Sequence, residues 1–334
     1  MTHRIVTVFG GSGFLGRHLI RRLVAQGITV RVAVRRMDHA IFLKPMRNVG
    51  QIAPMSVDVN DTEAVAVAVD GADTVVNLIG ILFERGKRTF ECLHVEGAQA
   101  IATAAKHAGV KQLIQVSAIG ADENSTAKYA QTKGRGEIAV QNAFPGATII
   151  RPSVIFGPED DFFNRFASLS RISPVLPVIG CPFPPKRNAG SLCSFDFYGN
   201  GGTKFQPVYV GDVAEAIMTV LNDSSRQGKT YELGGPTVYS FKEIMELTLD
   251  QVKRQRILVP LPFWLAKIKA FFFEFLPTPI LTRDQVESLK YDNVVHEGAL
   301  GLKDLGISPM AAEGILPTYL HRYRVGGQRH IRAA

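Results

Sequence analysis

Short runs that are rich in apolar residues alternate with amphipathic stretches through the first half of the chain. The runs are rich in Val and Ile, and they fall at 5–9, 29–34, 51–57, 73–79, 111–117 and 147–151. Runs of this length that are rich in Val and Ile are typical of strands. Strands separated by helices predict an α/β fold with a doubly wound parallel sheet and right-handed crossovers.

Amphipathic stretches supply the intervening helices. They begin directly after residue 13 and cover 61–69, 90–107 and 127–143. Asp61 is suited to cap the second of these helices, and Gly109 to end the third. The first helix carries apolar residues on one face and arginines on the other. Its inner face comprises Leu15, Leu19, Ile20, Leu23 and Val24, and its outer face comprises Arg17, Arg21 and Arg22.

The alternation stops after Pro152. Residues 152–203 contain a stretch rich in proline and glycine, which predicts an insertion or a long surface loop. A strand at 204–210, a helix at 212–221 and a strand at 230–233 resume the pattern. The first domain is therefore expected to comprise 1–151 and about 204–235. Residues 236–334 are expected to form a smaller, mostly helical lobe that ends in a basic tail.

Three glycines stand between the first strand and the first helix, with the spacing G-x-x-G-x-x-G. Glycine at these positions lets the backbone turn sharply and approach a pyrophosphate at the positive end of the helix. A tight structural turn is the alternative, but the flanking strand and helix favour a dinucleotide site. The predicted cradle comprises Gly10, Ser12, Gly13, Phe14, Leu15 and Gly16.

The second strand ends at Arg35 and Arg36. An acidic residue here would bind the ribose 2′-hydroxyl of NAD, whereas arginine suits the 2′-phosphate of NADP through charge-assisted contacts. Two surface arginines in a basic protein are the alternative, but the glycine loop earlier in the chain favours NADPH. Asp58 and Val59 follow the third strand and are expected to meet the adenine, although Asp58 could instead cap a helix.

Ser117, Tyr129 and Lys133 are the candidate catalytic residues. Tyr129 and Lys133 are four positions apart and share a helix face. An ammonium beside a phenol lowers the pKa of the phenol, which can then act as general acid or base towards a carbonyl or an alcohol. Ser117 ends the fifth strand and could polarise the substrate oxygen. Alone, the Tyr–Lys spacing would be a common surface pair.

These residues carry a resemblance to the short-chain dehydrogenase/reductase superfamily, in its extended or atypical branch. The matching segments are 10–16, Asp58, 77–80, Ser117, Tyr129 with Lys133, 151–153 and 206–212. The resemblance implies a Rossmann sheet. It also implies that Leu78, Ile79, Gly80 and Pro152 join the cofactor site, together with Ser117, Tyr129 and Lys133.

Within that branch, the chain resembles the nucleotide-binding accessory subunits of respiratory complex I, the NADH:ubiquinone oxidoreductase. The more particular segments are 9–17, 76–80, 151–157, 160–166 and 206–212. This resemblance implies tightly held NADPH, a structural or assembly role without turnover, and contacts with complex I subunits near the junction of the peripheral and membrane arms. The absence of a visible targeting sequence leads us to expect a bacterial member.

Residues 262–276 form an unusually aromatic segment. On a helix, Trp264, Ile268, Phe271 and Phe275 make one stripe, which Leu265, Phe272 and Leu276 widen. A helix packed on its own core would explain one such face. Because the net charge is +8, we also expect contact with an anionic membrane surface.

Neither a signal peptide nor a spanning helix is visible in the sequence, so we expect a peripheral protein on the cytoplasmic face of a bacterial inner membrane. Nucleic-acid binding is not expected, because no recognised module accompanies the positive charge. The three cysteines lack metal-ligand spacing, so no metal site is predicted.

Three classes of function remain open at this point. The first is a non-catalytic NADPH-binding subunit of complex I. The second is an active NADP-dependent reductase or epimerase that uses Ser117, Tyr129 and Lys133. The third is a nucleotide-sensing regulator, for which a disrupted Tyr–Lys pair would be the usual sign. Fold alone does not decide among them.

Overall fold

The computed structural model describes residues 4–46, 50–184, 186–187 and 195–326. Among these residues the backbone divides into two units. Unit 1 takes in the described residues of Met1–Pro152, Val210–Leu233 and His296–Ser308. Unit 2 takes in those of Ser153–Tyr209, Gly234–Val295 and Pro309–Ala334.

Apart from the start of α3, which lies seven residues after its predicted position, the strands and helices up to residue 152 lie within two residues of their predicted bounds. In chain order they are β1 (Ile5–Phe9), α1 (Phe14–Ala25), β2 (Thr29–Val34), β3 (Ile52–Ser56), α2 (Thr62–Val69), β4 (Thr74–Asn77), α3 (Gly97–His107), β5 (Gln112–Val116), α4 (Lys128–Ala143) and β6 (Thr148–Pro152). A 3-10 segment, Met37–Met46, follows β2. A π-helical turn, Glu91–Glu96, leads into α3 and replaces the first part of the predicted helix.

The remaining elements are shorter and more mixed. In chain order they are β7 (Ile155–Phe156), α5 (Phe163–Ile172), β8 (Val175–Ile179), β9 (Lys186–Arg187), β10 (Phe195–Asp196), β11 (Lys204–Phe205), β12 (Val208–Tyr209), α6 (Val210–Asn222), β13 (Thr230–Leu233), β14 (Tyr239–Ser240), α7 (Phe241–Val252), β15 (Ile257–Leu261), α8 (Phe263–Phe273), α9 (Arg283–Ser288), α10 (Ala312–Ile315) and α11 (Pro317–Leu320). The strand predicted at 204–210 is broken between β11 and β12, where Pro207 lacks an amide hydrogen for a ladder. Helix α6 begins at Val210, two residues before its predicted start.

Unit 1 is built on a parallel sheet of seven strands in the order β13-β6-β5-β4-β1-β2-β3. Strands β4 and β5 are buried at every position, including their polar residues Thr74, Asn77, Gln112 and Gln115. Helix α3 packs against α2 and α4, while α1 packs against α6. The strand order reverses between β1 and β4, and ligands of open α/β sheets bind outside the carboxyl ends at such a point. This doubly wound arrangement confirms the predicted fold class.

Unit 2 has its own core. The residues of this core lie on both sides of Val210–Leu233 in the sequence, and Val210–Leu233 itself belongs to unit 1. Parallel pairing links β8 to β15 and β7 to β12. Aromatic and aliphatic side chains from α5, α7 and the last helices fill the interior. They include Phe163, Phe241, Ile244, Met245, Leu316 and Tyr319, and Phe156 of β7 belongs to the same core. Buried Asp160 accepts a hydrogen bond from the Tyr319 hydroxyl at 2.5 Å.

The division into units therefore differs from the predicted domain boundaries. The segment predicted as a separate insertion contains α5 and β8 and shares one core with the C-terminal residues, because β8 pairs with β15. Residues 296–308 belong to unit 1: the Glu232 carboxylate accepts from the His296 amide at 2.9 Å, and the Glu232 amide donates to the Leu300 carbonyl at 2.8 Å. Of the predicted basic tail, His321 to Arg324 are described, whereas Arg329, His330 and Arg332 lie outside the described residues.

Candidate nucleotide-binding site

The glycine loop begins with a residue in the left-handed region of backbone conformation. Gly10 has φ +74°, which an L side chain adopts only with strain, and its amide donates to the Ala33 carbonyl at 3.1 Å. A Cβ atom on Gly10 would lie 3.3 Å from the backbone of Leu78 and Ile79. The loop that follows β4 therefore passes directly over the glycine turn.

The next two glycines open the N-terminus of α1. Gly13 is the N-cap residue, so no side chain caps the first turn, and that turn contains no acidic residue. A Cβ atom on Gly16 would collide with the Gly11 carbonyl, so this position lets the helix pack against its own loop. Leu15 is buried, while Ser12 and Phe14 are half-buried. First-turn amides without a capping side chain fit the oxygens of a pyrophosphate.

The two arginines that end β2 are in different environments. Both are exposed, but the Arg36 guanidinium pairs with Asp38 at 2.6 Å. Arg35 lies near a further guanidinium from the loop after β4: the pKa of Arg88 is lowered by burial and then by the positive charge of Arg35. Arg35 and Arg88 thus gather positive charge at the carboxyl end of β2, whereas Arg36 is largely neutralised by Asp38.

The residues expected to meet the adenine also differ from one another. Asp58 is exposed, and its carboxylate accepts from the Asn60 amide and side chain at 3.1 and 3.0 Å. Val59 is buried, and a Cβ atom on Gly97 would lie 2.9 Å from its methyl group. The Val59 side chain therefore packs into the core, which leaves only its backbone for the predicted contact.

A buried amide pair fixes the loop after β4. The Asn77 side chain donates to the Gln115 side chain at 2.8 Å, and its oxygen accepts from the Ile79 amide at 3.0 Å. The Leu78 amide donates to the Phe9 carbonyl at 3.0 Å. These bonds carry the chain out to Gly80, where a Cβ atom would lie 3.4 Å from the Lys133 ammonium.

Ser117, Tyr129 and Lys133 occupy the same edge of the sheet. Lys133 is buried and donates to the carbonyl of Val116, the residue before Ser117, at 3.4 Å. Burial lowers the pKa of Lys133 to about 8 and raises that of Tyr129 to about 12. The Ser117 hydroxyl is buried and, among the described residues, has no hydrogen-bond partner. A buried hydroxyl of this kind is suited to a ligand atom.

His94 completes this edge and was not predicted from the sequence. Its Nε2 accepts from the Ile81 amide at 3.2 Å, so Nδ1 carries the proton and faces the Thr132 hydroxyl at 3.1 Å. Burial, followed by the charge of Lys133, lowers the pKa of His94 to about 2 and keeps the ring neutral. The ring lies edge-on to Tyr129, with centroids 5.5 Å apart.

A π-helical turn gives His94 this position. The turn packs so closely on α4 that a Cβ atom on Gly136 would collide with the His94 carbonyl. Helical periodicity alone could not reveal this turn, since its residues do not follow a spacing of 3.6. Pro152, the last predicted cofactor residue, ends β6, and its carbonyl accepts from the Ile119 amide at 3.0 Å.

The residues present fit a nicotinamide dinucleotide at the reversal point of the sheet. The uncapped first turn of α1 fits the pyrophosphate, and the end of β2 fits the adenosine ribose. The Ser117 hydroxyl, which has no hydrogen-bond partner among the described residues, fits the nicotinamide end of the ligand. The fold and this site define an NAD(P)H-binding protein of the Rossmann class. A family model described as NAD(P)H-binding matches residues 10–160.

Full-length relatives narrow the class further. One is the Arabidopsis thaliana mitochondrial NADH dehydrogenase [ubiquinone] 1 alpha subcomplex subunit 9, which is 37% identical over 97% of this chain and 79% of that protein. Another is the Neurospora crassa mitochondrial NADH-ubiquinone oxidoreductase 40 kDa subunit, 33% identical over 95% of this chain and 79% of that protein. This chain belongs to the family of complex I alpha subcomplex subunit 9.

Two further similarities are informative in different ways. The ceramide reductase of Caulobacter vibrioides is 36% identical, over 52% of this chain and 54% of that protein. The solved triphenylmethane reductase of Citrobacter sp. aligns with a TM-score of 0.70 over 94% of this chain and 99% of that one, at 20% identity. The second similarity shows the fold alone. Among the described residues, no helix is both long and apolar enough to cross a bilayer.

Proposed function

We propose that this chain is an accessory subunit of respiratory complex I that holds NADPH tightly and does not turn it over. The observation that carries the proposal is its similarity to complex I subunits along almost the whole chain. A protein that shared only a dinucleotide domain with them would match over unit 1 alone. A subunit of a larger oxidoreductase can hold a nucleotide as a structural component. Such a role accounts for the dinucleotide site without requiring turnover.

The choice of NADPH rests on charge at the carboxyl end of β2. Arg35 stands where an acidic residue would accept the ribose 2′-hydroxyl of NADH. Arg88 adds a second guanidinium within electrostatic range of Arg35. A phosphate on the ribose would neutralise two charges that otherwise repel each other, which favours the phosphorylated dinucleotide.

The pKa values of Tyr129 and Lys133, at the nicotinamide end of the site, support the absence of turnover. A tyrosine base assisted by lysine requires a phenol that ionises readily beside a charged ammonium. Burial shifts both groups towards their neutral forms, with Tyr129 raised to a pKa of about 12 and Lys133 lowered to about 8. These groups are better suited to hold a nicotinamide ribose than to move a proton.

Affinity purification from gently solubilised membranes tests the proposal. We expect a tagged chain to bring down complex I, with NADPH identified by mass spectrometry after acid extraction. A tagged, unrelated peripheral protein from the same membranes is the control. If complex I migrates without this chain while the chain migrates alone, the subunit assignment is wrong.

We also propose that unit 2 lies against an anionic membrane surface, near the junction of the complex I arms and on the cytoplasmic face of a bacterial inner membrane. Helix α8 packs through Ala266 and Ala270, which leaves aromatic side chains outside. Trp264 is 54% exposed, Phe272 64% and Phe275 75%. An exposed apolar patch of this kind fits a membrane interface. Leu265, expected to widen the stripe, packs against the core instead.

Charge gives this membrane proposal less support than the apolar side chains do. Lys267 pairs with Glu287 at 3.4 Å, and Arg283 pairs with Glu274 at 2.9 Å. Glu274 offsets one positive charge beside α8, whereas Glu287 is shared between Lys267 and Lys290, which lies at 2.6 Å. The attraction is therefore expected to depend mainly on apolar insertion, and only weakly on salt.

Trp264, the single tryptophan, reports directly on this proposal. We expect its emission to shift to shorter wavelength on vesicles that contain phosphatidylglycerol, and Phe272→Ser with Phe275→Ser to weaken vesicle binding at least about tenfold. Ile172→Ser, at an exposed apolar position on α5, is the matched control. Unchanged Trp264 emission on vesicles contradicts the membrane contact.

An active NADP-dependent reductase or epimerase is the second candidate function. The orphaned Ser117 hydroxyl favours it, together with the intact Tyr129 and Lys133 and the similarity to a ceramide reductase. The test is loss of reduced-nicotinamide absorbance when the purified protein is given NADPH and a panel of ketones. Turnover that Tyr129→Phe abolishes would establish this function over the first.

A further inference from the structure

Arg17 was predicted on the outer, solvent-facing side of α1, where the sequence assigns it no role. Its side chain instead turns back along the helix: one guanidinium nitrogen donates to the Ser12 carbonyl at 3.4 Å. This direction follows from helix geometry, because side chains lean towards the helix N-terminus. The guanidinium therefore lies beside the glycine loop, at the positive end of α1.

An aromatic ring fixes the guanidinium there. The Arg17 guanidinium carbon lies 5.0 Å from the centre of the Phe42 ring. Phe42 belongs to Met37–Met46, the segment that follows Arg35 and Arg36 and contacts both α1 and β2. Arginine stacks on aromatic faces through its planar guanidinium, and the same fork matches the geometry of a phosphate. Arg17 is thus held on the β2 side of the loop, towards the adenosine ribose.

We propose that Arg17, stacked on Phe42, is a specificity-determining residue that binds the 2′-phosphate of NADPH together with Arg35. The inference rests on the proposed NADPH binding and deepens it, because it names how the phosphorylated dinucleotide is distinguished from NADH. Two guanidiniums from different elements, α1 and the end of β2, grip one phosphate from two sides. Arg36 contributes little, since Asp38 already occupies it at 2.6 Å.

The 3-10 segment gains a role from this arrangement. Phe42 is 44% exposed. Apolar packing alone does not explain why this ring lies at the surface and stacks on a charged group. As a platform, the ring reduces the number of positions that the Arg17 side chain samples before the phosphate arrives. Less side-chain freedom is then lost on binding.

Binding measurements with three probes test the inference: NADPH, NADH and adenosine 2′,5′-bisphosphate, which carries the 2′-phosphate without the nicotinamide. For Arg17→Gln we expect affinity for NADPH and the bisphosphate to fall about 10- to 100-fold, and affinity for NADH to change less than about threefold. Phe42→Leu should give a smaller loss of the same pattern. Arg17→Lys should recover part of the loss, since charge remains without the planar fork.

Arg21→Gln is the matched control, because it removes the same charge one turn further along the exposed face of α1. It should leave all three affinities unchanged. Retained NADH binding shows that each variant is folded. If Arg17→Gln weakens NADH and NADPH equally, or neither, Arg17 does not read the 2′-phosphate. If the unaltered protein fails to prefer NADPH over NADH, the proposed cofactor itself is wrong, which is a separate result.

Discussion

The two ends of the candidate nucleotide site use different kinds of group. At the adenosine end, Arg35 and Arg36 are exposed arginines, and Arg36 pairs with Asp38 at 2.6 Å. At the nicotinamide end, Lys133, Tyr129 and His94 lie close together, and burial shifts the pKa of each towards its neutral form. The first end is suited to recognise a ligand by charge, whereas the second is lined by groups whose surroundings favour their neutral forms.

Under the proposed function, this contrast would let one site bind a dinucleotide without reacting with it. The contacts between the charged arginines and the phosphates of the ligand would supply the binding energy. These contacts do not depend on proton transfer at the nicotinamide end. The residues that would carry out chemistry lie in surroundings that oppose ionisation. The predictions below separate the two ends, and they run from the largest expected effect to the smallest.

Gly13→Asp should remove the nucleotide, with affinity reduced more than about 100-fold. An aspartate at the N-cap accepts the first-turn amides of α1 itself and repels phosphate, so the helix is capped while the ligand is lost. Isothermal titration with NADPH measures the loss, and circular dichroism checks the fold. Gly13→Ala adds the same Cβ atom, 3.2 Å from the Gly10 carbonyl, without the charge. An equal loss in Gly13→Ala would mean that space, and not charge, governs this end.

Lys133→Met should stabilise the nucleotide-free protein. The folded pKa of Lys133, about 8, lies below its usual 10.5, so the unfolded chain binds a proton between these values that the folded chain does not. The stability contributed by this group therefore rises with pH from about 8 to 10.5, and below that window the charged lysine costs about 3 kcal/mol.

Urea unfolding at pH 7 and at several values up to pH 10 measures this effect. The variant should be more stable than the unaltered protein at pH 7, and the difference should shrink as the pH rises. Lys128→Met, on the same helix but exposed, is the control. A difference that stays constant with pH would show that Lys133 is not held in a neutralising environment.

Tyr129→Phe should have the smallest effect. The phenol keeps its proton at neutral pH, since burial raises its pKa to about 12, and the ring contacts with Phe90 and His94 survive the change. Bound NADPH and recovery with complex I should stay within about twofold of the unaltered protein. If the variant fails to assemble with complex I, Tyr129 has a structural role, and the difference between the two ends of the site does not account for such a role.

Local patterns predicted the secondary structure around the candidate phosphate end well. The strand, loop and helix from Ile5 to Ala25 form from neighbouring residues, so the spacing of glycines and apolar positions was sufficient. Tyr129 and Lys133 share α4 for the same reason. Arg17 was placed correctly on α1, but the direction of its side chain depends on Phe42, which lies 25 residues further along the chain.

Other features depend on contacts that no local pattern encodes. His94 enters the site through a π-helical turn, and its hydrogen bonds reach Ile81 and Thr132. The pairing of β8 with β15 joins segments far apart in sequence, so the region after Pro152 was expected to be an isolated insertion. Residues 296–308 return to unit 1 through hydrogen bonds to Glu232, for which their sequence gives no sign.

The way the chain threads between its two units has a consequence for biosynthesis. A ribosome delivers β6 long before its outer neighbour β13, which is made only after the first segment of unit 2 and α6. Until then, β6 presents an open edge that other nascent chains can pair with. The last piece of unit 1, His296–Ser308, emerges near the end of translation. A chain truncated before residue 308 therefore lacks part of unit 1.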